Sequence, residues 1–222
     1  VASVEGNFRL RFMTSHPKDF NEEVVKVMAK HRKICRLVHL PVQSGSDKIL
    51  KAMNRRYTCG QYLEEVKLLR TYFPEAELTT DIIVGFPGET EEDYLATEKL
   101  VREANFASAF TFVYSPRTGT KAASMPDQIP ESVQKDRIMR LVELVNSLTR
   151  KKSEKYLGKT VEILCEDYDE KKGLYLGRDE FGRMGYFKSE TDRIGDFVNL
   201  KITQANGISL FGETVEKENK EI

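Results

Sequence analysis

The chain has 222 residues, 40% hydrophobic and 32% charged, with 35 basic and 35 acidic side chains. That length suits one large domain, or a medium one plus a small one, in a soluble globular protein. Zero net charge excludes a bulk electrostatic footprint for nucleic acid, so any RNA contact must come from a local patch. No apolar run approaches a membrane span, and the opening VASVEGNF has neither a basic n-region nor an h-region. A cytoplasmic protein is expected. Cys35, Cys59 and Cys165 form neither a disulfide framework nor a metal-ligand spacing, and His16, His31 and His39 lie at no zinc-like interval from them. Free thiols are the reading. The absence of an initiator Met suits a piece of a longer protein.

Up to about residue 150, strand-like and helix-like segments alternate. Phe8–Met13 is a strand candidate, followed by an amphipathic stretch from Asn21 to His31. Arg36–Val42 is the next strand, then a short helix from Asp47 and a longer one from Thr58 to Tyr72. Leu78–Val84 is the third strand, with its helix from Glu91 to Ala104, and Ala107–Tyr114 is the fourth. Alternating βα units imply a parallel sheet with right-handed crossovers, and four units make a partial barrel or open sheet. After Pro126 and Pro130 a long helix is expected from Glu131 to Tyr156. Ile138, Leu141, Val142, Val145 and Leu148 form its apolar stripe, and Lys135, Arg137, Arg140, Arg150, Lys151 and Lys152 a basic, solvated face. Gly158 stops it. From Lys159 five short strands follow, jointed at Gly, Asp or Asn, which suggests a small antiparallel barrel of the OB-like kind. KENKEI closes the chain as a charged tail. The expected division is 1–150, 151–217 and 218–222.

The stretch TTDIIVGFPGETEED, residues 79–93, concentrates the signal. Ile82, Ile83 and Val84 read as a parallel strand covered on both faces, with one acid, Asp81, inside the run. Gly85 and Gly88 bracket Phe86-Pro87 in a turn whose backbone can approach a ligand. Thr90 fits an N-cap with Asp93 in capping-box position. Asp81 therefore falls near the carboxyl end of its strand, where α/β folds bind ligands. By alternation, His39 and Gln43 share one face of the second strand, and Thr79 and Asp81 one face of the third. They either line a hydrophilic lumen or satisfy each other as buried polar groups. In NRRY, Asn54 to Tyr57, a guanidinium suits a bidentate pair with a carboxylate, although adjacent arginines are also ordinary surface residues. Tyr114 at the fourth strand's end and His16 and Lys18 after the first lie at the same presumed rim.

TSHPKD (14–19), HLPVQSGS (39–46), NRRYT (54–58), TTDIIVGFPGETEEDY (79–94) and FVYSPRTGT (112–120) together resemble the MiaB family of radical S-adenosylmethionine methylthiotransferases. The closing strands resemble the TRAM domain, an RNA-binding barrel. The resemblance implies the carboxyl-terminal part of a radical (β/α) barrel of the TIM-like kind, about four strands, followed by that barrel. It implies a parent enzyme that adds a 2-methylthio group to N6-isopentenyladenosine beside the tRNA anticodon, using S-adenosyl-L-methionine and two 4Fe-4S clusters. By motif position Gln43 and Asp81 look like contacts to its nucleoside or methionine parts, Arg55 the partner of its carboxylate, and Gly85, Phe86 and Pro87 its adenine contact. Lys155, Lys159, Arg178, Arg183, Lys188 and Arg193 are the candidate phosphate contacts of the terminal barrel, with Tyr175, Phe181, Tyr186 and Phe187 as stacking platforms or core. The family's CxxxCxxC is not in this sequence, so the cluster ligands are expected outside it, in the amino-terminal part of the parent. No catalytic residue is assigned here, and catalysis by this chain alone is not expected. Related families acting on threonylcarbamoyladenosine in tRNA or on a ribosomal protein share VGFPGET but usually differ at TSHPKD and FVYSPRTGT. A non-catalytic RNA-binding module on a degenerate scaffold is the alternative of a different class.

Overall fold

The structure, a computed structural model, describes residues 1–13 and 21–216. The TSHPKD motif with His16 and Lys18, and the closing tail, lie outside them. Strands β1 (Leu37–His39), β2 (Glu77–Val84) and β3 (Ser108–Val113) form a parallel sheet in that order. Helices α1 (Glu22–Lys30), α2 (Asp47–Ala52), α3 (Cys59–Tyr72), α4 (Glu91–Ala104) and α5 (Glu131–Glu154) accompany it. Strands β4 (Thr160–Asp169), β5 (Leu174–Arg178), β6 (Met184–Phe187), β7 (Phe197–Asn206) and β8 (Ser209–Val215) close a five-stranded barrel. No helix among the described residues is long and apolar enough to cross a membrane.

Two expectations are corrected here. Phe8–Met13 is not a strand: it forms one isolated parallel bridge, Leu10 to Ile34, outside the named strands, while Leu10 and Phe12 pack on the core. Its arginines turn instead to the barrel, Arg9 donating to the carbonyls of Arg178 and Glu162, and Arg11 to that of Asp179 at 3.3 Å. The sheet therefore has three strands, not four. The barrel is not wholly antiparallel either, because β6 and β8 pair in parallel to close it.

Local chemistry explains the elements that form as read. Thr58 and Thr90 each cap a helix through a reciprocal capping box, with Gln61 and Asp93 respectively. Asn105 ends α4 in the left-handed conformation. Along β2 burial alternates: Leu78, Thr80, Ile82 and Val84 face the helices, while Thr79, Asp81 and Ile83 are half-exposed on the other side. The buried set joins Val38, Leu40, Tyr62, Tyr94, Leu141 and Val145 in one core, and Ile163, Phe187, Leu200 and Tyr156 anchor a second inside the barrel. On α5, Leu144 rather than Val142 faces inward, and Val142 is exposed.

The barrel is seated on the amino-terminal ends of the strands. Arg36 N–H donates to Glu180 C=O at 2.7 Å, and Gly182 lies so close to Leu37 that an added Cβ would stand 2.5 Å from its Cδ2. At the centre of the seam is Glu77, first residue of β2. Its carboxylate meets Lys155 at 2.8 Å, Arg183 at 3.4 Å and Lys152 at 3.5 Å. Burial opposes its ionisation, but these three cations outweigh burial and hold the carboxyl below its ordinary value. Glu77→Gln should deprive the buried Arg183 guanidinium of its paired carboxylate, leaving it the Gly207 carbonyl, the Tyr156 ring and the field of Asp179, and lower stability by about 3 kcal/mol, measured as the shift of the urea midpoint at pH 7.

Candidate functional site

At the other end of the sheet, Gln43, Arg55, Asp81, Ile83, Phe86, Phe112 and Tyr114 line a cavity of about 1060 Å³. The position follows from how β1 ends. His39 pairs with Thr79, yet four residues on Gln43 bridges to Ile82, so the first chain carries one residue more than β2. That is a bulge, and Gln43 absorbs it with φ +72°. Pro41 supplies no amide donor there, and the freed backbone groups find side chains. Val42 N–H donates to Thr80 Oγ1 at 2.9 Å, Tyr62 Oη to the Leu40 carbonyl at 2.8 Å, and Tyr57 Oη to that of Val42 at 3.2 Å. Pairing then resumes, Gln43 N–H to Asp81 C=O and Ile83 N–H to Gln43 C=O, both at 2.9 Å.

Arg55 is brought over the same strand end by a reversal of the chain. Asn54, at φ +60°, ends α2, and Arg55 N–H donates to the Leu50 carbonyl at 2.8 Å. Tyr57 then ties the turn back to the bulge. The buried Nε of Arg55 has no hydrogen-bond partner, and neither does the buried hydroxyl of Tyr114. A buried guanidinium nitrogen without an acceptor is costly, and a bound carboxylate would relieve it. Asp81 holds a polar wall opposite, with Oδ1 at 3.5 Å from His39 Nε2. His39 Nδ1 lies 3.0 Å from Thr79 Oγ1.

Of the residues singled out from sequence, the structure thus gathers Gln43, Arg55, Asp81 and Phe86 around one space. Gly85 and Pro87 do not line it. Gly85 is engaged elsewhere, its N–H donating to Glu89 Oε2 at 2.8 Å and its carbonyl accepting from Gln134 at 3.1 Å. His39 and Thr79 bond each other and are not among the residues that line the cavity. Phe112 was missed, although the alternation of Phe110, Phe112 and Tyr114 in AFTFVY was its signal. The turn before α2 is fixed by close packing, since a Cβ on Gly45 would stand 2.4 Å from Thr97 Cα.

The candidate phosphate contacts of the barrel divide. Lys159 and Lys188 are exposed. Lys155 pairs with Glu77, Arg178 with Glu166 at 2.7 Å, and Arg193 with Asp196 at 2.9 Å. Arg183 is corrected: only 2% exposed, it lies over the Tyr156 ring and against Glu77, out of reach of a phosphate. Phe187 is core at 1% exposure, whereas Tyr186 is half-buried, stacks on Phe211 at 5.0 Å and carries Lys172 over its ring.

Comparison with known proteins agrees with this layout. Residues 2–101 match the Radical SAM superfamily and residues 154–215 the TRAM domain. In fold the chain is similar to coproporphyrinogen III oxidase from Escherichia coli, a radical SAM enzyme, with TM-score 0.52 and 17% identity over 87% of this chain and 46% of that one. It is an α/β radical SAM portion followed by a barrel. In sequence it is 50% identical to the tRNA-2-methylthio-N(6)-dimethylallyladenosine synthase of Clostridium botulinum (strain Langeland), over 97% of this chain and 48% of the relative. The same-named protein of Caldicellulosiruptor saccharolyticus is 46% identical over 97% of this chain and 46% of its own. The chain spans about half the length of these relatives and corresponds to their carboxyl-terminal part. The MiaB resemblance read from five motifs thus agrees with relatives 46–50% identical along 97% of this chain.

Asp93 links two sides of the site. It accepts from Ser46, the N-cap of α2, at 2.7 Å and from Thr90 N–H at 2.9 Å, and pairs with Lys48 at 2.5 Å. Burial works against its charge, but these partners prevail and hold its pKa at about 2. A carboxyl depressed in the folded state stabilises fully above its unfolded value of about 3.9 and loses that contribution as pH falls through the folded one. Thermal melts should therefore show a loss of stability between about pH 4 and pH 2 that is smaller in Asp93→Asn.

Proposed function

We propose that this chain is the carboxyl-terminal portion of a tRNA methylthiotransferase, which adds a 2-methylthio group to N6-isopentenyladenosine beside the anticodon by radical S-adenosylmethionine chemistry. The observation that carries the reading is the unpartnered Arg55 Nε in a cavity shared with Gln43, Asp81 and Phe86. That donor set fits a ligand with a carboxylate, hydroxyls and a flat heterocycle. In this reading the α/β portion is part of a TIM-like radical barrel. S-adenosylmethionine is held there with its methionine carboxylate on Arg55, its hydroxyls on Gln43 and Asp81, and its adenine against Phe86 and the adjoining turn. The bound cofactor, with two 4Fe-4S clusters ligated outside this chain, supplies the radical chemistry. The residues here bind, orient and exclude water.

The barrel is proposed as an OB-like TRAM module that grips the anticodon arm. Lys159 and Lys188 offer free cationic ends, and the Tyr186–Phe211 stack with Lys172 offers a base platform. The names of the relatives favour the isopentenyladenosine substrate over the threonylcarbamoyl or ribosomal-protein branches.

Three measurements test this. The full-length protein, expressed in a strain unable to methylthiolate its tRNA, should restore 2-methylthio-N6-isopentenyladenosine in nucleoside digests. Persistent unmodified isopentenyladenosine would refute the assignment. By calorimetry, Arg55→Ala should weaken S-adenosylhomocysteine binding about tenfold or more, as loss of a charged hydrogen bond implies, and Asp81→Asn should weaken it less. Lys188→Gln should weaken tRNA binding and flatten its salt dependence by about 0.7 in slope, one phosphate contact's worth.

A further inference from the structure

Helix α5 reaches the turn beside the cavity, and it does so with a buried charge. Arg137, expected on the solvated face, is 4% exposed. Its Nη1 donates to Glu89 Oε2 at 2.8 Å and to the Glu89 carbonyl at 3.1 Å. That same carboxylate oxygen accepts Gly85 N–H at 2.8 Å, and the Glu89 side chain is 1% exposed. One helical turn before Arg137, Gln134 takes the Gly85 carbonyl, so close that a Cβ on Gly85 would stand 2.5 Å from Gln134 Cγ. Both backbone polar groups of Gly85 are therefore satisfied by side chains, one held by Arg137 and the other from α5 itself.

The ladder between β2 and β3 cannot do this work. Its last bond runs from Tyr114 N–H to Val84 C=O at 2.9 Å, one residue short of the turn. Beyond it Gly85 turns at φ +73° and delivers Phe86, 6% exposed, into the cavity wall edge-on to Tyr114 at 5.0 Å. Glycine adopts that conformation without strain but also adopts many others, so its partners and not its own backbone preference hold it there.

We propose that Arg137 is a positioning residue: acting through Glu89, it fixes the Gly85–Phe86 backbone and so sets how well the cavity accepts the nucleoside end of its ligand. The inference rests on the cofactor reading above and concerns a residue that does not itself touch the ligand. A purely structural ion pair would change stability without changing the turn.

The test uses the full-length holoprotein and the double variant Glu89→Gln/Arg137→Met, which removes both charges and leaves no buried ion alone. Amide exchange across residues 85–86 should accelerate at least tenfold, and the Kd for S-adenosylhomocysteine, read by calorimetry, should rise about tenfold. Arg137→Lys, keeping the charge but not the two-point geometry, should fall between. It carries the test alone if the double variant does not fold. Unchanged exchange, or unchanged affinity despite faster exchange, overturns the inference and leaves the cofactor reading standing. Failure of the unaltered protein to bind S-adenosylhomocysteine at all overturns that reading, and this inference with it.

Discussion

Strand β2 and helix α5 are fastened together at both ends by carboxylates answered from the helix, and the rest of the structure is arranged around that brace. Glu77 at the start of the strand meets Lys152 and Lys155, and Glu89 just past its end meets Arg137. Between them, hydrophobic contact of Leu141, Leu144 and Val145 with the core gives attraction without direction. Buried ion pairs are poor sources of net stability because desolvation offsets much of their attraction. Their value here is alignment: a helix slid by one turn would strand Glu89 in the interior and leave Glu77 with Arg183 alone. That alignment sets where the barrel attaches and where the Gly85 turn stands.

The cavity is built by departures from regular structure. The bulge at Gln43, the left-handed Asn54 and the left-handed Gly85 each turn a chain at the carboxyl end of the sheet. Side chains from neighbouring motifs meet freed backbone groups, Thr80 and Tyr57 at the bulge and Glu89 and Gln134 at the turn, while at Asn54 the Lys51 carbonyl does so. The motifs therefore hold one another as well as bordering the cavity. This explains why segments far apart in sequence, around residues 43, 55 and 85, behave as one constellation.

What the sequence disclosed was local, and what it hid was not. The bounds of α4 were legible because Thr90 and Asp93 cap it and apolar spacing carries it to Ala104. The alternation in β2 was legible because one face is buried. Gln43, Arg55, Asp81 and Phe86 were assigned together by the motif resemblance, while βα order accounts only for strand ends sharing one rim. Arg137 was misread as solvated, since a cation on a helix ordinarily is, and its partner lies 48 residues away. Arg183 was misread for the same reason, its partner being 106 residues distant. Phe8–Met13 has strand-like composition, but its arginines are claimed by the barrel. The parallel closure of β6 with β8 is a matter of global topology that no local pattern announces.

The barrel and the cavity occupy opposite ends of the same sheet. Strand β2, eight residues long, separates the Glu77 seam from the Gly85 turn by roughly 25 Å. The braced strand thus fixes a span between barrel and cavity, and each residue added to or removed from β2 would change that span by about 3.3 Å.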